Sequence, residues 1–212
     1  MVSFAQSLRL GAFAVNDWEW RLLTGALIFL VNTVFGLFTV ALLLRFHLQW
    51  SRAPHRNPFS VFLQALTDFM VRPARRVIPG LWGLDLATLT LAWLAQFVEL
   101  FVILQIRGYE FGAQAGQAFA ALVLMATVML AKIWLYIVMV AVIVQAVLTW
   151  INPYSPVMPL LNSMTLPFLR VFQRLVPPIG NVDLSPLFVI VIVQLLLMLP
   201  VAYAETSLTR MF

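Results

Sequence analysis

Four long runs of apolar residues set the limits on what this chain can fold into. They lie at about 24–46, 86–106, 118–150 and 184–204. A helix needs about 20 apolar residues to cross roughly 30 Å of hydrocarbon. The first, second and fourth runs fit that length. The third exceeds it at about 1.5 Å per residue, so it must tilt, project beyond the outer face or begin as an interfacial segment. None of the runs alternates apolar with polar residues as barrel strands do, so each is expected to be an α-helix. Composition agrees: 63% of the residues are hydrophobic and 10% charged, against roughly 45–50% and about 25% in soluble domains. The chain reads as an all-α, multi-pass membrane protein. A soluble enzyme, a disordered protein and a disulfide-rich secreted domain are excluded.

The formal net charge is +5, and all but one of the 13 basic residues are Arg. They flank apolar spans, where they set topology and meet anionic lipid headgroups, so no nucleic-acid partner is read from them. Arg45, Arg52, Arg56, Arg72, Arg75 and Arg76 lie between spans one and two; Arg170 and Arg174 lie between spans three and four. The opposite side carries Arg9, Arg21, Arg107 and Arg210. The excess places both large loops in the cytoplasm and both termini outside. Trp50, Trp82 and Trp150 then mark the cytoplasmic interface, and Trp18 and Trp20 the outer one. Residues 1–23 read as an outer or interfacial segment rather than a signal peptide, because Arg9, Asp17 and Glu19 interrupt any apolar core.

A shift of 98 residues superimposes the sequence on itself. Pro58, Thr67, Arg72, Arg76, Pro79, Asp85 and Gln96 fall on Pro156, Thr165, Arg170, Arg174, Pro177, Asp183 and Gln194. A shift of 100 aligns Trp50 with Trp150. The expected organisation is two tandem parallel repeats, 24–106 and 107–204, each a span, a basic segment and a span, followed by a tail at 205–212.

Within the basic segments, Asn57-Pro58 reads as an N-cap with Pro at the first helical position. Phe59, Phe62, Leu63, Leu66 and Met70 follow at helical spacing. Ser155-Pro156 repeats the start. Amphipathic helices are therefore expected in the cytoplasmic interface at 57–79 and 155–177, broken by Pro73 and Pro167. They either brace the hairpins or form a groove for lipid or partner. Asp85 and Asp183 begin spans two and four, as N-caps, as ion-pair partners of Arg72 or Arg76 and Arg170 or Arg174, or as both.

Residues 72–80 with 83–86, and 170–178 with 182–186, carry an Arg-Pro-x-Arg-Arg pattern followed by Gly-hydrophobic-Asp. This duplicated pattern resembles the YggT (YlmG) family in its two-copy bacterial form, over about residues 24–204. Val171, Gln173 and Asn181 depart from it in the second copy. The resemblance implies a bacterial inner-membrane protein. Relatives are associated with osmotic or ion homeostasis, with cell or plastid division, and with assembly of membrane haem proteins in plastids.

Charged residues inside spans are expensive and are functional candidates by default. Glu99 and Lys132 are the two read here, with Asn32 at similar depth and Gln96 and Gln194 nearer the middle. The expectation is a buried polar cluster of Asn32, Glu99 and Lys132 above Gln96 and Gln194, either a structural ion pair or an ion or proton site. Gly108, Gly112 and Gly116 mark a close helix-packing face or an outer hairpin. The chain has no Cys, and His47 and His55 have no companions at ligand spacing, so neither metal nor other cofactor is expected. No nucleophile, base and orienter assemble into a catalytic set, so the expected function is not enzymatic. Two functions remain: an assembly or scaffold factor whose partners are anionic lipid and other membrane proteins, or a homo-oligomeric channel or transporter.

Overall fold

The computed structural model describes residues 17–54, 57–80, 83–109, 112, 115–175 and 183–211. The N-terminal segment before Asp17, Trp82 and Pro177-Pro178 lie outside the described residues. The described chain is helical: α1 (Asp17–Trp50), α2 (Pro58–Val77), α3 (Leu86–Ile106), α4 (Ala115–Ile151), α5 (Met158–Leu175), α6 (Ser185–Leu196), a π turn (Leu197–Val201) and α7 (Ala202–Thr209). Four helical stretches are long and apolar enough to cross a membrane: Trp18–Trp50, Leu86–Ile106, Ala115–Ile151 and Ser185–Thr209.

Several boundaries differ from those read from the runs. Helix α1 begins at Asp17 rather than Thr24, and α4 at Ala115 rather than Ala118. Hydropathy marks only the apolar stretch of a helix, whereas backbone hydrogen bonding continues through the polar ends. The long third span is therefore matched by an equally long first, each about 50 Å or more at 1.5 Å per residue. The fourth extends past Ala204 to Thr209, taking in residues assigned to the tail.

Span α1 packs most extensively on α3, whose buried face carries Ala87, Ala92 and Ala95. Small side chains let two helix backbones approach closely where lipid supplies no hydrophobic drive. One core joins Ala41, Leu42 and Leu43 of α1 to Val71 of α2, Leu130 and Ile137 of α4 and Met164 of α5. A second joins Val138 and Val142 of α4 to Leu169 of α5 and Val189 and Val193 of α6. Elsewhere the spans turn apolar side chains outward; Phe29 and Leu37 are 67% and 66% exposed. Such surface suits contact with lipid.

Helices α2 and α5, here called the lateral helices, pack beside the spans they connect, α2 on α1 and α3, α5 on α4 and α6. Helix α2 starts as expected: the Asn57 side chain accepts from the Ser60 backbone N–H at 2.7 Å, with Pro58 at the first turn. Its buried face is Ser60, Leu63, Thr67 and Val71, at helical spacing. Helix α5 starts at Met158, later than Ser155-Pro156 suggested. Contrary to expectation, neither helix breaks at its internal proline, Pro73 or Pro167. A proline removes one backbone donor; beyond Pro73, Arg75 anchors the last turn of α2 to Asp85, and the helix continues. Gly108, Gly112 and Gly116 lie in and beside the connection between α3 and α4 and form no packing face among the described residues. Gly108 has φ +76 and ends α3 in a Schellman turn, with Tyr109 N–H donating to the Leu104 carbonyl at 3.0 Å. A Cβ at Gly108, Gly112 or Gly116 would meet nothing within 4 Å.

Candidate functional site at the lateral helices

Polar clamps hold each lateral helix to its spans. Arg45, near the end of α1 and only 9% exposed, donates through Nη1 to Thr67 Oγ1 and Asp68 Oδ1 of α2, both at 2.7 Å. Arg72 reaches the other Asp68 oxygen from one turn along α2, at 2.7 Å. Arg75 donates through Nε and Nη2 to Asp85 Oδ2, the Nε bond being 3.1 Å. Asp85 also caps α3, accepting from Thr88 N–H at 3.3 Å and from the Thr88 hydroxyl. Cap and ion pair are thus both present, but the partner is Arg75 and not Arg72 or Arg76. Because α2 runs on through Pro73, Arg75 is the residue carried to the start of α3.

The second half makes the corresponding contacts with neutral groups. The Thr165 hydroxyl of α5 donates to the Gln145 side-chain carbonyl of α4. Gln173 Nε2 donates to Asp183 Oδ2 at 2.9 Å, and Asp183 accepts from Ser185 N–H at 2.8 Å. Asp183 is therefore paired with Gln173 and not with Arg170 or Arg174. Gln145 and Gln173 occupy the repeat positions of Arg45 and Arg75. Arg76, Arg170 and Arg174 stand exposed on the lateral helices.

His47 joins the two halves. Fully buried on α1, it accepts from Trp134 Nε1–H of α4 at Nδ1 (3.1 Å), while Nε2 lies 3.0 Å from the Met164 carbonyl of α5. One neutral tautomer satisfies both bonds, with the proton on Nε2. The rings of Trp50, Trp134 and Phe168 surround it at 5.6–6.1 Å.

The expected intramembrane cluster does not assemble. Lys132 Nζ pairs with Glu205 of α7, at 2.6 and 2.9 Å, not with Glu99. Counted from Ile151, Lys132 lies about 28 Å along α4, and from Ser185 Glu205 lies about 30 Å along its span. That places the pair at the far edge of the hydrocarbon. Glu99 is only about 20 Å along α3 from Leu86. It is buried beside Gln96, which donates from Nε2 to Glu99 Oε2 at 3.2 Å. Asn32 and Gln194 point outward, exposed. Of the five residues, the structure brings together only Gln96 and Glu99.

The sequence reading places none of Arg45, Asp68, His47 and Glu205 in a site. The signal for Arg45 was its register: it and Gln145 are polar residues at one repeat position near the ends of apolar spans.

The carboxylates have a pH consequence. Burial pushes Asp68 and Asp85 up, but hydrogen bonds and charge from Arg45 and Arg72, and from Arg75 with Thr88, outweigh it and hold both below the ordinary range. A lowered folded value stabilises the fold above the unfolded value, about 3.9, and that contribution is lost as pH falls through the folded value. The contribution of these two carboxylates to thermal stability in detergent should be constant from about pH 7 to about pH 5 and decline below about pH 4. Asp85→Asn should reduce the decline.

Four membrane-length helices with two lateral helices packed beside them define a multi-pass helical membrane protein. A family model described as CCB3/YggT matches residues 24–106 and again 124–204, and the chain belongs to that family. It is 36% identical over 179 residues to the uncharacterized protein PA0392 of Pseudomonas aeruginosa, covering 84% of this chain and 89% of that one. It is 31% identical over 171 residues to the uncharacterized protein YggT of Escherichia coli K12, covering 80% and 86%. A Vibrio alginolyticus protein named for the proC 3′ region is 32% identical over 170 residues, covering 78% and 88%. No solved structure matches.

Proposed function

We propose that this protein is a non-enzymatic platform of the bacterial inner membrane that holds or positions other membrane proteins during assembly of membrane complexes. The observation that carries the reading is the pair of lateral helices, each clamped to its spans at two corresponding points, Arg45–Thr67 with Arg75–Asp85 and Gln145–Thr165 with Gln173–Asp183. Clamping fixes the exposed faces of both helices before a partner arrives, which lowers the ordering cost of binding. Those faces combine apolar side chains such as Phe62 and Phe69, 60% and 69% exposed, with Arg76, Arg170 and Arg174. The lateral helices lie on the cytoplasmic side, against anionic headgroups, and both termini lie outside.

Photo-crosslinking residues at Phe62, Phe69 and Val171 should give discrete protein adducts in cells, whereas the same probe at Phe29 should give lipid adducts. Uniform lipid adducts at all four positions would overturn the platform. The absence of cysteine makes sidedness directly readable. A membrane-impermeant maleimide should label Gly108→Cys in intact cells and Asn152→Cys only after permeabilisation; the reverse pattern would invert the topology.

A further inference from the structure

The clamp of the first half encloses more than an ion pair. A cleft of about 420 Å³ opens between α1 and α2, lined by Arg45, Gln49, Gln64, Asp68, Arg72 and Arg75. That volume lies in the range of small-ligand sites, about 300–1,000 Å³. The charges in and around it do not cancel. Three guanidiniums share two carboxylates, Asp68 and Asp85, leaving one positive charge over. Donors are also left over. Arg45 spends only Nη1, Arg72 only Nη2, and Arg75 Nε and Nη2, among the described residues. Guanidinium forks with unspent N–H groups are suited to phosphate oxygens.

The second half lacks this chemistry. Gln145, Leu166 and Gln173 stand where Arg45, Asp68 and Arg75 stand in the first. The clamps of that half hold with amides in place of guanidiniums, so the arginines are not needed merely to attach a lateral helix.

An apolar groove lies one helical turn from the cleft on the same two helices. Leu48 and Leu63 line the cleft. One helical turn before them, Leu44 and Phe59 line a groove of about 650 Å³ that continues along Ile137 of α4 and Leu160 of α5. Its lining exposes no polar surface. A polar cleft with one surplus cation thus has an acyl-sized apolar groove one helical turn away.

We infer that the cleft is a specific site for one anionic phospholipid, its phosphodiester taken by Arg45 and Arg72 and an acyl chain laid in the groove. A phosphodiester carries a single negative charge and balances the surplus. A headgroup with its own ammonium would bring a cation against the arginines, so a headgroup of phosphatidylglycerol type is preferred. This rests on the cleft and the groove and stands whether or not the protein is an assembly platform.

Native mass spectrometry of the full chain, delipidated and returned to equal phosphatidylglycerol and phosphatidylcholine, tests the site. The wild type should retain one phosphatidylglycerol in preference to phosphatidylcholine. Arg72→Gln, at a side chain 78% exposed, and Arg45→Gln, which copies Gln145, should each weaken retention on the order of tenfold. Asp68→Asn removes the carboxylate that competes for the same forks and should strengthen it. Circular dichroism confirms that each variant is folded. Folded Arg45→Gln and Arg72→Gln variants that retain phosphatidylglycerol like the wild type, or equal retention of both lipids, would overturn the site. A second arm adds inorganic phosphate to protein in phosphatidylcholine nanodiscs. Thermal stabilisation that depends on Arg45 and Arg72, without phosphatidylglycerol retention, would assign the cleft to soluble phosphate and overturn the lipid.

Discussion

Replacing Arg45 by Leu should destabilise the protein by about 3 kcal/mol, measured by thermal unfolding in detergent. The magnitude follows from breaking a buried ion pair by removing one partner, about 3–5 kcal/mol, discounted because Asp68 is 22% exposed and keeps Arg72. Thr67, fully buried, also loses its donor. Arg45→Gln should cost less, because Gln145 shows that an amide at this register still engages the lateral helix through its Thr. Arg45→Leu combined with Asp68→Leu should recover part of the loss, since the orphaned carboxylate is then gone and Leu166 marks the second-half equivalent. Equal losses in the single and double variants would mean that the ion pair does not hold α2.

Lys132→Met should cost on the order of 2 kcal/mol, by leaving Glu205 without its cation at the edge of the hydrocarbon. Lys132 is 29% exposed and Glu205 19%, so the cost falls short of that for a fully buried pair. The exchange Lys132→Glu with Glu205→Lys should restore most of the stability, because the geometry needs opposite charges and not a particular order. Glu99→Gln should behave differently, because Glu99 is bonded to Gln96 and not to a cation, so the change should leave the Lys132 pair intact. Lys132→Met and the exchange equally unstable would contradict the pair.

The spans were legible because hydropathy over about twenty residues is a strong signal, and the lateral helices because their apolar residues recur at helical spacing. What the sequence hid was register in three dimensions. Arg45 reads as a topology-setting charge between spans, yet α1 carries it about three turns of helix past its middle and buries it against α2. Arg72 and Arg76 are the expected partners of Asp85 because they are the arginines that recur in the repeat, at Arg170 and Arg174; the unbroken helix delivers Arg75 instead. Lys132 and Glu99 read as lying at one depth, but Lys132 is about 28 Å along α4 from Ile151 and Glu99 about 20 Å along α3 from Leu86. That difference separates them, and Glu205, in the segment read as the tail, takes the place of partner. Asn32 and Gln194 match Lys132 and Gln96 in repeat register but not in exposure, because register fixes depth while packing decides the facing direction.

Ion flux in liposomes reconstituted with the purified protein tests the central claim most directly. The account, with Lys132 and Glu205 as a structural pair and the protein as a platform, expects no potassium or sodium flux above protein-free liposomes for the wild type, Glu99→Gln or Lys132→Met. Flux through the wild type that both substitutions alter would contradict it, and would make the polar residues of the spans a transport site.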